Sequence, residues 1–140
     1  MHAVLLTLHN TGRYAVLALA LWALWRAVSG LLARGGWLPS DERARRLFPI
    51  ALDIQVLLGL GLFAFLPPLG EAIRIPEVRF YAMEHSTMGL VAIALAHIGS
   101  VKIRKLKVPR EKFRTMAIFY GLALVAVLSR MPWDRWLPLR

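Results

Sequence analysis

Residues 83–99 read MEHSTMGLVAIALAHIG, and SVKIRKLKVPREKFR follows at 100–114. An apolar run that stops at a cluster of Lys and Arg is the pattern of a membrane span meeting anionic headgroups. Counted from about Phe80 to Val101 the run has the roughly 20 residues that an α-helix needs to cross about 30 Å of hydrocarbon. Working outward, three more segments meet the same test: about 4–32, about 47–66 after Arg43, Arg45 and Arg46, and about 115–131. The expected fold is an all-α integral membrane four-helix bundle, a single domain over residues 1–140.

Composition agrees with that reading. Of 140 residues 58% are hydrophobic, and the mean hydropathy is +0.55. The net charge of +10 would suggest nucleic acid in a soluble chain, but the cations lie in short clusters between apolar runs with no interleaved aromatic surface. Anionic lipid headgroups are the expected partner, and nucleic acid is not. With no cysteine, the chain has no disulfide, thiolate metal site, Cys-held iron–sulfur cluster, thiol nucleophile or thioether-linked haem.

Charge asymmetry orients the bundle. The first connection carries Arg34, Arg43, Arg45 and Arg46, and the third carries Lys102, Arg104, Lys105, Lys107, Arg110, Lys112 and Arg114. In the middle connection Arg74 and Arg79 are matched by Glu71 and Glu77. The positive-inside rule then puts the first and third connections in the cytoplasm and both termini outside, with Trp133 and Trp136 anchoring the tail beside Arg130, Arg135 and Arg140. The first segment lacks a basic start and is too long for a signal core, so it is expected to remain as a mature helix.

Polar residues inside spans are costly and normally face the bundle interior, which makes them the main functional signal. They are His9, Arg13 and Arg26 in the first span, Asp53 and Gln55 in the second, and Glu84, His85 and His97 in the third. The fourth span has only Tyr120 and Ser129 and reads as a packing helix. His9 precedes Arg26 by seventeen positions, and His85 precedes Lys102 by seventeen. Both intervals are about 25 Å of helix, so the two histidines are expected at one level near the outer face. Two imidazoles matched in height across two helices are what bis-histidine haem ligation requires.

Small residues follow each histidine down its helix: Gly12, Val16, Ala20, Ala23, Ala27 and Gly30 after His9, and Gly89, Ala92, Ala96 and Gly99 after His85. Such stripes either bring backbones close or leave a slot for a flat macrocycle, with Gly12 and Gly89 nearest the histidines. Arg13, one turn below His9, is placed to meet a haem propionate or Glu84. Glu84 adjoins His85 and cannot point at the same iron; meeting Arg13 or relaying a proton are its alternatives. In the inner half Asp53 is expected to pair with Arg26, near Gln55 and His97. His2 reads as an exposed terminal residue. No HExxH pattern, phosphate loop or GxSxG elbow is present.

The stretches LHNTGRY at 8–14, LDIQVLLGLGLF at 52–63 and MEHSTMGLVAIALAHIG at 83–99 resemble small four-helix membrane proteins of bacteria. More loosely the arrangement is similar to membrane b-type cytochromes and to half of a haem A synthase. That resemblance implies a haem b site with His9 and His85 as axial ligands, in the bacterial inner membrane. The leading expectation is an electron-transfer protein with one haem, exchanging electrons with a quinone or a periplasmic redox protein and giving quinol-linked activity. Two other classes remain open: a non-enzymatic scaffold or accessory subunit whose polar residues specify helix pairing, and a small proton-coupled transporter using Arg13, Asp53, Glu84 and His97. A homodimer or larger membrane complex is compatible with each.

Overall fold

Every span is longer than its apolar stretch, because the helices continue into charged turns beyond the hydrocarbon. The computed structural model describes residues 1–133. It contains α1 (His2–Ala33), α2 (Pro39–Phe63), the single turns α3 (Leu69–Ala72) and α4 (Pro76–Arg79), a π-helical turn (Phe80–His85), α5 (Ser86–Lys105) and α6 (Pro109–Ser129). Arg135, Trp136 and Arg140, expected at the outer anchor, lie outside the described residues. Helix α2 starts eight residues before the expected boundary, since Pro39 suits a first helical position and the Asp41 carboxylate accepts the Leu38 N–H at 2.7 Å. Pro109 and Pro76 likewise set the starts of α6 and of the continuous helix through α4 and α5. Helix α1 ends at Arg34 in the left-handed region (φ 50°), followed by Gly35 and Gly36.

The four long helices run up and down, and their principal contacts close a ring: α1 on α2, α2 on α5, α5 on α6 and α6 on α1. Helices α1 and α5 therefore face each other across the diagonal. The small-residue stripes are fully buried at Ala20, Ala23 and Ala27 and at Ala92 and Ala96. Phe48 from α2 and Phe113, Met116 and Tyr120 from α6 fill the space that they leave. Gly30 lies under the Phe113 ring, and a Cβ there would stand 2.4 Å from it. Large apolar side chains such as Leu21, Trp25, Leu57, Leu90 and Val125 are exposed on the outside. Among the described residues, four helices are long and apolar enough to cross a membrane, and the chain is a multi-pass membrane protein.

One end of the bundle, formed by the first and third connections, holds the basic clusters and is closed. Asp41 is fully buried and accepts from Arg26 Nε at 2.7 Å. Arg26 thus pairs with Asp41 and not with Asp53, because α2 extends far enough to offer a capping carboxylate at the level of Arg26. Arg45 bonds Glu42 and Ser100 Oγ, joining α2 to α5. Pro49, inside α2, has no N–H to give to the Arg45 carbonyl, and the buried Tyr120 hydroxyl donates to that carbonyl instead. Helix α6 packs the core as expected, and its Tyr120 also repairs the break in α2.

Candidate cofactor site

At the opposite end the polar side chains border open space. His9 is in the second turn of α1 and Gln55 is across from it on α2. The His9 Nδ1–H donates to the Gln55 carbonyl at 3.2 Å, and the Gln55 amide donates to the His9 carbonyl at 2.8 Å. Two glycines let the helices come this close. A Cβ at Gly12 would stand 2.5 Å from Gln55 Oε1, and one at Gly59 would stand 3.3 Å from His9 Cε1.

His85 closes the π-turn Phe80–His85. A π-turn carries an extra residue relative to an α-turn, and such turns recur at functional sites because they re-aim side chains. Here Ser86 Oγ donates to the Tyr81 carbonyl at 2.7 Å. Helix α6 ends at Ser129, and Pro132 prevents the helix from continuing. The Arg130 carbonyl is thereby free to accept the His85 Nδ1–H at 2.8 Å.

The two imidazoles meet across the diagonal with ring centroids 6.0 Å apart and planes at 77°. Both use Nδ1 on a backbone carbonyl, so in each ring Nε2 carries the lone pair. A carbonyl accepting from Nδ1 fixes the tautomer and the orientation of each ring. That separation and near-perpendicular angle are those of an edge-to-face ring pair. Among the described residues no group of three or more His, Asp or Glu is placed to hold a bare metal ion.

A cavity of about 380 Å³ adjoins the pair, within the range of small-molecule and cofactor sites. His9, Arg13, Gln55, Gly59, Tyr81, His85, Gly89 and Arg130 line it, among apolar residues that include Val56, Phe63 and Met88. A Cβ added at Gly89 would meet nothing within 4 Å, so this glycine faces open space. His9 and His85 on diagonally opposite helices, with the open space beside Gly89, share this one cavity.

The sequence-derived residues divide into groups. His9, His85, Arg13 and Gly89 come together around the cavity. Gly12 does not line it and serves to admit Gln55. Gln55 belongs with His9, not with an inner polar layer. Arg13 is buried, with Nη2 3.4 Å from the Tyr14 hydroxyl. Glu84 stands between Arg79 at 3.8 Å and Arg130 at 3.6 Å, so the arginines it meets are those of the π-turn's flank and of the end of α6. His2 also reaches the cavity mouth, edge-on to Phe65 at 5.1 Å. Asp53 pairs with His97 at 2.7 Å, away from the cavity. The residues missed were Arg130, whose carbonyl orients His85, and Tyr81 in the cavity wall. Pro132 was the available signal for the first.

No family model, curated protein or solved structure matches this chain.

Proposed function

We propose that the chain is a membrane electron-transfer protein that binds one haem b between His9 and His85 near the outer face of the bacterial inner membrane. The observation that carries this reading is the pair of imidazoles 6.0 Å apart, His9 held through Nδ1 by a carbonyl of α2 and His85 by the carbonyl of the residue that follows α6. When bound, haem b supplies a one-electron ferric/ferrous couple. His9 and His85 would hold it through their Nε2 lone pairs, and the Gln55 and Arg130 carbonyls would strengthen both donors by accepting from Nδ1. Arg13 and Arg130, both in the cavity wall, provide guanidinium groups suited to propionate carboxylates.

Orientation follows from the basic end, whose Lys and Arg favour the cytoplasmic face. Both termini and the cavity then face outward, where a quinol or a periplasmic redox protein exchanges electrons with the site. One haem at that depth serves an exchange on the outer side, not passage across about 30 Å of hydrocarbon.

One observation favours a second reading as a scaffold: the imidazole hydrogen bonds already join α1 to α2 and α5 to α6 without any ligand. Optical spectra separate the two. Detergent-purified protein, expressed with ample haem, is expected to show a sharp α band on dithionite reduction and about one haem per chain. His9→Ala and His85→Ala are each expected to lose it while keeping their helical circular dichroism. A colourless wild type overturns the haem reading.

A further inference from the structure

Asp53 and His97 lie outside the cavity and belong to no part of the proposed electron-transfer site. His97 Nε2 is 2.7 Å from Asp53 Oδ1, and the side chains are 50% and 38% exposed. The pair bridges α2 and α5 on the outer surface of the bundle. Asp53 is seven residues beyond Arg46 and His97 is five residues before Lys102, so the pair is about 7–10 Å inside the apolar belt. Around it, Ile50, Leu57 and Leu60 of α2 and Leu90 and Val101 of α5 are exposed. Those apolar groups are at home in lipid, but a carboxyl and an imidazole are not.

The hydrogen-bonding capacity left over is specific. In hydrocarbon the pair is held electroneutral, either as carboxylate with imidazolium or as carboxylic acid with neutral imidazole. With Nε2 and Oδ1 engaged, both forms leave one donor, His97 Nδ1–H, and one acceptor, Asp53 Oδ2. Among the described residues neither atom has a hydrogen-bond partner. A surface with one unmet donor and one unmet acceptor side by side is complementary to itself when turned by a two-fold axis. In lipid, such interhelical hydrogen bonds are what favour association, since exposed Leu and Ile gain nothing from leaving lipid for a neighbour.

We propose that the α2–α5 face is a two-fold dimer interface. His97 Nδ1 of each copy donates to Asp53 Oδ2 of the other, and the four side chains close one polar ring inside an apolar surround. The occupant is a second copy of this chain because the surface's unmet donor and acceptor are each other's complement. This inference is independent of haem binding.

The test uses the full chain in liposomes at low protein density, with subunit number counted by single-molecule photobleaching. Wild type is expected to be dimeric. Asp53→Leu combined with His97→Leu removes both cross-subunit bonds without stranding a buried group, and is expected to weaken dimerisation about tenfold to a hundredfold with helical circular dichroism unchanged. The exchange Asp53→His with His97→Asp keeps the self-complementary pattern and is expected to restore the dimer. Because the chain has no cysteine, single introduced thiols report the face in contact. Leu60→Cys in one copy and Leu90→Cys in the other, seven residues after Asp53 and seven before His97 and so facing each other across the two-fold, are expected to give an oxidised dimer, whereas Val28→Cys on α1 and Val125→Cys on α6 are not. A monomeric wild type, a dimer unaffected by the double Leu variant, or cross-linking through Val28→Cys or Val125→Cys would each overturn the proposal.

Discussion

The two ends of the bundle are built from the same residue types and have opposite interiors. At the basic end, the stripes of small residues are covered by large rings: Gly30 by Phe113, and Gly99 by Phe119, whose Cβ would be 2.5 Å from an added methyl group. Charges there find partners within the chain, as Arg26 does at Asp41 and Arg45 at Glu42 and Ser100. At the histidine end no large side chain covers Gly89, and the two imidazoles and the Gln55 amide hydrogen-bond backbone carbonyls. A small residue in a helix thus marks either a close contact or a cavity. The side chain that faces it from the next helix decides which.

Four substitutions probe that contrast, in decreasing order of expected effect. Asp41→Ala strands Arg26 and the Leu38 N–H at the closed end and is expected to cost about 3 kcal/mol. Thermal unfolding in detergent measures the loss, and the haem spectrum of the folded variant should match wild type if the ends are separable. Tyr120→Phe removes the hydroxyl that donates to the Arg45 carbonyl, which Pro49 has already deprived of its helical partner. About 2 kcal/mol is the expected loss for a buried acceptor left unmet, read from the same melts. Gly30→Ala pushes against the buried Phe113 ring, and its overpacking is partly offset by the better helix propensity of Ala, leaving a net loss of about 1 kcal/mol. Gly89→Ala meets nothing, so the same change at the open end should leave the melting temperature unchanged or raise it by the equivalent of up to about 1 kcal/mol. Equal destabilisation by the two glycine substitutions would contradict the difference between the ends.

The four spans were legible because about 20 consecutive apolar residues have few uses other than crossing a bilayer. Boundaries were less so: apolar runs report where the hydrocarbon stops, while capping and proline report where the helix stops, as at Pro39 and Pro109. Equal spacing from the basic clusters was enough to expect His9 and His85 at one level, since that argument needs only helical rise. Partner identity was not accessible in the same way. Arg26 had an aspartate within the apolar run and another in a connection, and choosing Asp41 over Asp53 required knowing that the helix begins at Pro39. The carbonyls that hold the imidazoles carry no residue-type signal, so Arg130 was visible only through the proline that follows it. The π-turn likewise had no signature, because Phe80–His85 contains no breaker and would be read as ordinary α-helix.

That turn gives the third span two rotational phases. An α-helix advances about 100° per residue, so deleting one residue between Phe80 and His85 would relax the turn to regular winding and swing the preceding wall of the cavity by roughly that angle relative to α5. The span would keep its hydrophobic length and still insert. A single-codon deletion, silent to any test of membrane topology, would thus separate His85 from Tyr81 and from the Arg79 flank, leaving a bundle of the same length and charge with the cavity wall facing elsewhere.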